Sequence, residues 1–208
     1  KSLEKNIESP WIGTFHPIFA KFLRKHAHLV SLKSNFNILD SEDQKKLIKQ
    51  VLEYCKVSKE VSENIYLNEI QNLKDEKIFP DDKNKILKYS SLENIDDIYK
   101  LYQQRLIEIN AVDFGDILLH SYHILVNHKD IQENHSNFIQ HILIDEFQDT
   151  NLLQYDLIKL LLNSNQNLFC VGDDDQSIYA WRGAKIENII NFPNEFNCDV
   201  VRLTKNYR

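Results

Sequence analysis

Two adjacent carboxylates, Asp145 and Glu146, follow directly on the apolar run Ile142-Leu143-Ile144, and about twenty residues later comes VGDDDQSIYAWRGA (Val171–Ala184). A short apolar run that ends in acids reads as a buried parallel strand whose tip faces a ligand crevice. The texture around it agrees. From Ile139 onward, strand, helix (Leu152–Leu162), strand (Leu168–Val171), helix (Lys185–Phe192) and strand (Val200–Leu203) alternate. Alternation of this kind predicts a parallel α/β sheet.

The preceding residues are patterned for helices. Trp11–Phe15 is a short strand-like piece broken by Gly13, and His16–His28 sets Phe19, Phe22 and Leu23 against Lys21, Arg24 and Lys25, a basic amphipathic helix. Ser41-Glu42-Asp43-Gln44 has the form of a capping box before a helix carrying Leu47, Ile48, Val51, Leu52 and Cys55. Further helices are expected from Ser58 to about Leu73 and from Leu92 to Ile109, with Ile95, Ile98, Tyr99, Tyr102 and Leu106 inward. Residues 81–91 read as a loop or broken helix. After Val112, DFGDILLHSYHILVN predicts a helix with Phe114, Ile117, Leu118 and Leu125 as its apolar face. The layout is an all-helical block, 37–112, inserted into an α/β domain built from 1–36 and 113–208.

Composition narrows the class. With 42% hydrophobic and 27% charged residues, the chain has the balance of an ordinary globular protein, and no apolar run reaches membrane-span length. Cys55, Cys170 and Cys198 lack paired spacing, so neither a zinc site nor a disulfide framework is indicated, and a reducing cytoplasm is the expected compartment. A net charge of −6 argues against a surface coated for duplex DNA. It leaves room for a narrow groove where stacking aromatics decide binding. The histidine pairs His26/His28 and His120/His123 lack partnered Cys or acids and read as surface or packing residues.

Asp145 at a strand tip can hold Mg²⁺ while Glu146 orients and deprotonates an attacking water. Two exposed acids ending a strand would look the same, but the flanking QDT and the second segment favour a nucleotide site. Gln176 can hydrogen-bond both a phosphate and water, or cap the turn after Asp173–Asp175. Tyr179 and Trp181 stand two apart and would face one side of an extended segment, to stack on bases or to fill a core. Arg182 fits a phosphate ligand or a structural ion pair equally well.

DEFQDTN (Asp145–Asn151), VGDDDQSIYAWRGA and LTKNYR (Leu203–Arg208) resemble motifs II, III and IV of the UvrD/Rep/PcrA superfamily 1 helicases. GTFH (Gly13–His16) resembles motif Ib, and AVDFGDIL (Ala111–Leu118) the family's DFDDL segment. Pro17 and Gly115 depart from the family pattern. The resemblance implies a partial RecA-like parallel sheet of the P-loop NTPase type with a helical insertion. It also implies ATP-dependent 3′–5′ translocation on single-stranded DNA, with duplex junctions and repair proteins as partners. By the same resemblance Asp145 coordinates Mg²⁺, Glu146 is the general base and Gln176 contacts the γ-phosphate. Tyr207 stacks on adenine, and Arg208 is an arginine finger. Thr14, Phe15, His16, Tyr179 and Trp181 line the DNA path, and Arg182 couples it to the motor.

No G-x-x-x-x-G-K-[ST] loop occurs among the four glycines, and the chain starts at Lys1 without any methionine. The expectation is an internal piece of a longer helicase that does not hydrolyse ATP alone. A non-enzymatic DNA-binding or docking remnant, or a piece of a RecB/AddA-type helicase–nuclease, are the alternatives.

Overall fold

Asp40, Ser62, Asp113 and Asn151 each cap a helix with a side-chain oxygen, and these four caps set where those helices begin. The computed structural model describes residues 11–57, 62–163, 167–173, 186–203 and 205. It falls into two compact units, Lys1–Gln132 and Glu133–Arg208. The fold is helix-rich mixed α/β, and the described residues form two small parallel sheets of two strands each.

In the first unit, residues 11–14 are irregular where a strand-like piece was expected. Gly13 turns there at φ +148°, a conformation L side chains rarely adopt. Helix α1 (Phe15–His26) follows, burying Phe19, Phe22 and Leu23 against α6. Arg24 is exposed on the expected basic face and also ties the helix to the chain that follows. It donates to Ser34 O at 2.9 Å and Phe36 O at 3.0 Å, and its guanidinium lies 4.3 Å from the Phe36 ring centroid. Strands β1 (Asn37–Ile38) and β2 (Ala111–Val112) pair in parallel, Asn37 opposite Ala111.

Between those strands lie α2 (Ser41–Tyr54), α3 (Glu63–Asp75), α4 (Lys83–Tyr89) and α5 (Ile95–Glu108). The capping box expected at Ser41 is displaced: Asp40 is the cap, accepting from the N–H groups of Glu42 and Asp43. A carboxylate here serves two orphan donors and complements the helix dipole, which a hydroxyl does less well. The helix expected from Ser58 starts behind Ser62, and residues 58–61 lie outside the described ones. In the stretch expected to be loop or broken helix, α4 forms because Ile86 is fully buried. The predicted stripe of α5 (Ile95, Ile98, Tyr99, Tyr102, Leu106) is all buried, packed with Ile48, Tyr66 and Leu73.

Helix α6 (Phe114–Asn127) opens with a capping box, Asp116 N–H donating to Asp113 Oδ1 at 2.9 Å and Asp113 N–H to Asp116 Oδ2 at 3.2 Å. Ile117, Leu118 and Leu125 are buried as expected, but Phe114 is half exposed. It occupies the first helical position, where only the edge-on His16 ring of α1 is an aromatic neighbour among the described residues. An unanticipated α7 (Lys129–Phe138) carries the chain into the second unit.

There, β3 (His141–Ile144) pairs in parallel with β4 (Asn167–Cys170), Ile144 opposite Cys170. The run expected to be a buried strand is not buried, with Leu143 74% exposed, because the two-stranded sheet of the described residues leaves one face uncovered. Helix α8 (Leu152–Leu161) is closed by a capping box between Asn151 and Gln154. Helix α9 (Ile186–Phe196) runs past the expected end at Phe192 and through Pro193. Phe196 packs tilted against Phe192 and edge-on to Tyr155, and Tyr155 and Lys159 both donate to Glu195, which holds that extra turn. Residues Val200–Leu203, expected as a strand, form none, and Leu203 is 92% exposed. A strand without a hydrogen-bonded neighbour leaves its backbone groups unpaired, and no described residue supplies one.

Candidate functional site

The ladder between β3 and β4 continues beyond the sheet. Val171 N–H donates to Ile144 O at 2.8 Å, and Phe147 N–H donates back to Val171 O at 2.9 Å. Between these two bonds Asp145 and Glu146 are pushed out at the carboxyl end of β3, both exposed. Glu146 adopts φ +51°, ψ +45°, the left-handed region, which costs a residue with a Cβ about 1–2 kcal/mol. A 3-10 turn, Phe147–Asp149, follows. Phe147 anchors it, buried with its ring 4.9 Å from Phe192 and 6.0 Å from Tyr155. Thr150 Oγ1 donates to Phe147 O at 2.7 Å, and Asn188 of α9 donates to Thr150 O at 3.1 Å.

Gln148 is buried beneath the two acids. Its Nε2 donates to Glu146 Oε2 at 2.6 Å, and its Oε1 accepts Asp173 N–H at 3.0 Å. Burial and the Glu146 charge push the neighbouring Asp149 carboxyl above its ordinary range. Asp145 Oδ1 accepts Glu146 N–H at 3.0 Å, while Oδ2 takes no hydrogen bond from a described residue. One open carboxylate at a strand tip suits Mg²⁺, which binds through one or two carboxylates and fills its shell with water and phosphate oxygens. Among the described residues no cluster of three His, Cys, Asp or Glu forms an all-protein metal cage.

Of the predicted strand-path residues in the first unit, Thr14 is exposed and precedes α1 as its N-cap. Phe15 stacks on Phe19 at 6.4 Å, and the His16 ring meets Phe114 edge-on at 5.8 Å. Burial lowers the His16 imidazole below its ordinary value, which favours its neutral form. Gln176, Tyr179, Trp181, Arg182, Tyr207 and Arg208 lie outside the described residues.

Two polar centres were not singled out from the sequence. Gln148 is one. The other joins α3 to the cap of α6: Lys74 Nζ lies 2.7 Å from both Asp113 Oδ2 and Asp116 Oδ1, with all three side chains buried. Tyr102 OH donates to Asp113 at 3.2 Å and Gln103 Nε2 to Asp116 at 2.9 Å. Burial opposes charge on Lys74, but the two carboxylates outweigh it and raise the ammonium above its usual range. Burial and the Asp116 charge raise Asp113. For Asp116 burial is outweighed by Lys74, His120 and Gln103, and its carboxyl is lowered. Two acids at i, i+3 opening DFGDIL carried a signal for the capping box, but nothing in the sequence pointed to Lys74.

The UvrD/REP helicase N-terminal domain family model matches residues 1–197, and the chain belongs to this family. It is 40% identical to DNA helicase II of Haemophilus influenzae, covering 100% of the chain and 29% of that protein. It is 38% identical to the ATP-dependent DNA helicase PcrA of Staphylococcus epidermidis, over 95% of the chain and 27% of the relative. PcrA of Staphylococcus aureus is 37% identical over the same shares. The chain thus spans less than a third of the length of these relatives. No helix among the described residues is long and apolar enough to cross a membrane.

Proposed function

We propose that the chain is the part of an ATP-dependent, 3′–5′ DNA helicase that supplies the water-activating half of its nucleotide site and part of its single-strand path. The observation that carries this reading is the tip of β3, where Asp145 and Glu146 emerge side by side on a parallel strand and are tied through Gln148 to the segment leading into Gln176. In this reading Glu146 takes a proton from water as its oxygen attacks the γ-phosphorus and the bond to the β-phosphate oxygen breaks, giving ADP and phosphate. Asp145 would hold Mg²⁺, which when bound neutralises charge on the phosphates. Gln176 senses the γ-phosphate, Tyr207 stacks on adenine and Arg208 offsets transition-state charge.

Thr14, Phe15, His16, Tyr179 and Trp181 contact the strand, and Arg182 links that contact to the motor. Residues 1–36 and 113–208 form a RecA-like domain and 37–112 its insertion. The parallel pairing of β1 with β2 supports this, because the chain leaves and returns at one place. Single-stranded DNA, duplex junctions and a cytoplasmic repair role belong to the same proposal. So does inactivity of the chain alone, since its sequence contains no G-x-x-x-x-G-K-[ST] segment to cradle phosphates.

The test is DNA-stimulated ATP hydrolysis by the full-length protein carrying Glu146→Gln. A fall of roughly 10²–10⁴-fold is expected. Hydrolysis at the unaltered rate would overturn the assignment.

A further inference from the structure

A glutamine with 1% of its surface exposed must find partners for both ends of its amide. Gln148 finds two that differ in kind: a carboxylate that only accepts, and a backbone N–H that only donates. Reversing the amide would set its oxygen against Glu146 and its NH₂ against Asp173 N–H, losing both bonds. The side chain is therefore held in one orientation by chemistry. Glu146 itself is exposed and springs from a left-handed residue, so packing does little to fix its carboxylate. The 2.6 Å bond from Gln148 is the one side-chain hydrogen bond that Glu146 receives among the described residues.

From this we infer that Gln148 is a positioning residue for hydrolysis. It aims the Glu146 carboxylate, and it makes that aim depend on where the 171–173 segment stands. The inference rests on the general-base reading of Glu146. The bond to Asp173 crosses 25 residues of sequence, and through Gln148 it ties the base to a residue just past the end of β4 and three residues before Gln176. A displacement of Asp173 N–H pulls on Gln148 Oε1, and the amide, being rigid and planar, passes the displacement to Glu146. A merely structural glutamine would serve the Asp173 N–H and leave the base indifferent to its other end.

Two substitutions separate these cases, in the full-length protein and with single-turnover ATP cleavage measured against pH. Gln148→Glu keeps the shape and the acceptor for Asp173 N–H but replaces the donor by a second acid facing Glu146. Carboxylates so close cannot both ionise easily, so the acid limb of the cleavage-rate profile should move up by about one pH unit or more. The KM for ATP should stay within about two-fold. Gln148→Met removes both bonds and should slow cleavage by roughly ten-fold or more, again with little change in KM.

An acid limb at the wild-type position in Gln148→Glu would overturn the inference, as would cleavage within two-fold of wild type in a folded Gln148→Met protein. If Gln148→Met does not fold, the Gln148→Glu profile decides alone. Glu146→Gln run beside them keeps the two levels distinct. Unchanged hydrolysis there removes the general base, and the inference with it. Loss there with wild-type behaviour of both Gln148 variants removes only the positioning role.

Discussion

Lys74 and Asp113 stand 39 positions apart in the chain and 2.7 Å apart in space, with almost none of either side chain open to water. Asp116 shares the same ammonium. Removing one member of such a cluster leaves charge buried without compensation, a loss of about 3–5 kcal/mol. Lys74→Met should therefore lower the urea midpoint sharply. Adding Asp113→Asn and Asp116→Asn to it should restore much of the loss, because the uncompensated charge is then gone.

Gly115 looks like a liability inside a helix, where glycine is disfavoured against alanine by about 1 kcal/mol. The space around it reverses that expectation. A Cβ here would meet Gln71 Oε1 at 2.7 Å and Lys74 Cδ at 2.8 Å. The Gln71 amide can swing away, but the Lys74 stem is pinned by two carboxylates. Gly115→Ala should be net destabilising by about 1–2 kcal/mol, read from thermal unfolding.

Burial raises the Asp75 carboxyl from an ordinary 3.8 to about 6, against a hydrogen bond from Gln71 that lowers it. A group whose folded pKa exceeds its unfolded one contributes stability that is complete below the unfolded value and lost as pH rises through the folded one. Asp75→Asn keeps an acceptor for Gln71 Nε2 and has no charge to bury. Its unfolding free energy should match wild type near pH 3, below the unfolded value, and exceed it by ~1–2 kcal/mol at pH 8, a figure reduced for the partial exposure of the site. Urea titrations at the two pH values measure the difference.

Phe147 separates packing from chemistry in the DEFQDT turn. Its ring is 1% exposed between Phe192 and Tyr155. Phe147→Ala should cost roughly 3–5 kcal/mol. Phe147→Leu, which refills most of the volume, should recover more than half of that by calorimetry.

What could be read in advance follows the range of the interaction. The α5 stripe repeats within a helical turn and was legible to the residue. The DEFQDT strand tip was legible because an apolar run and its terminal acids are contiguous. The cap of α2 was misplaced by one residue because Asp40 and Ser41 are both good caps and only geometry chooses between them. Phe114 was assigned inward because periodicity ignores where a helix begins. Lys74 with Asp113, and Gln148 with Asp173, are pairings across 39 and 25 residues that no local pattern encodes. The strand expected at Val200–Leu203 has the right residues, but pairing is decided by a neighbour and not by the segment itself.

The crossing of α3 and α6 also limits how this unit can move. With no room for a Cβ at Gly115 and a doubly bound ammonium beside it, neither helix can slide along the other by one residue without stranding charge in a dry interior. Shear at that contact is blocked. Any rearrangement of the helices that lie between β1 and β2 must pivot elsewhere and carry the crossing along as one piece, the way a bolted joint transmits a load to the hinges on either side.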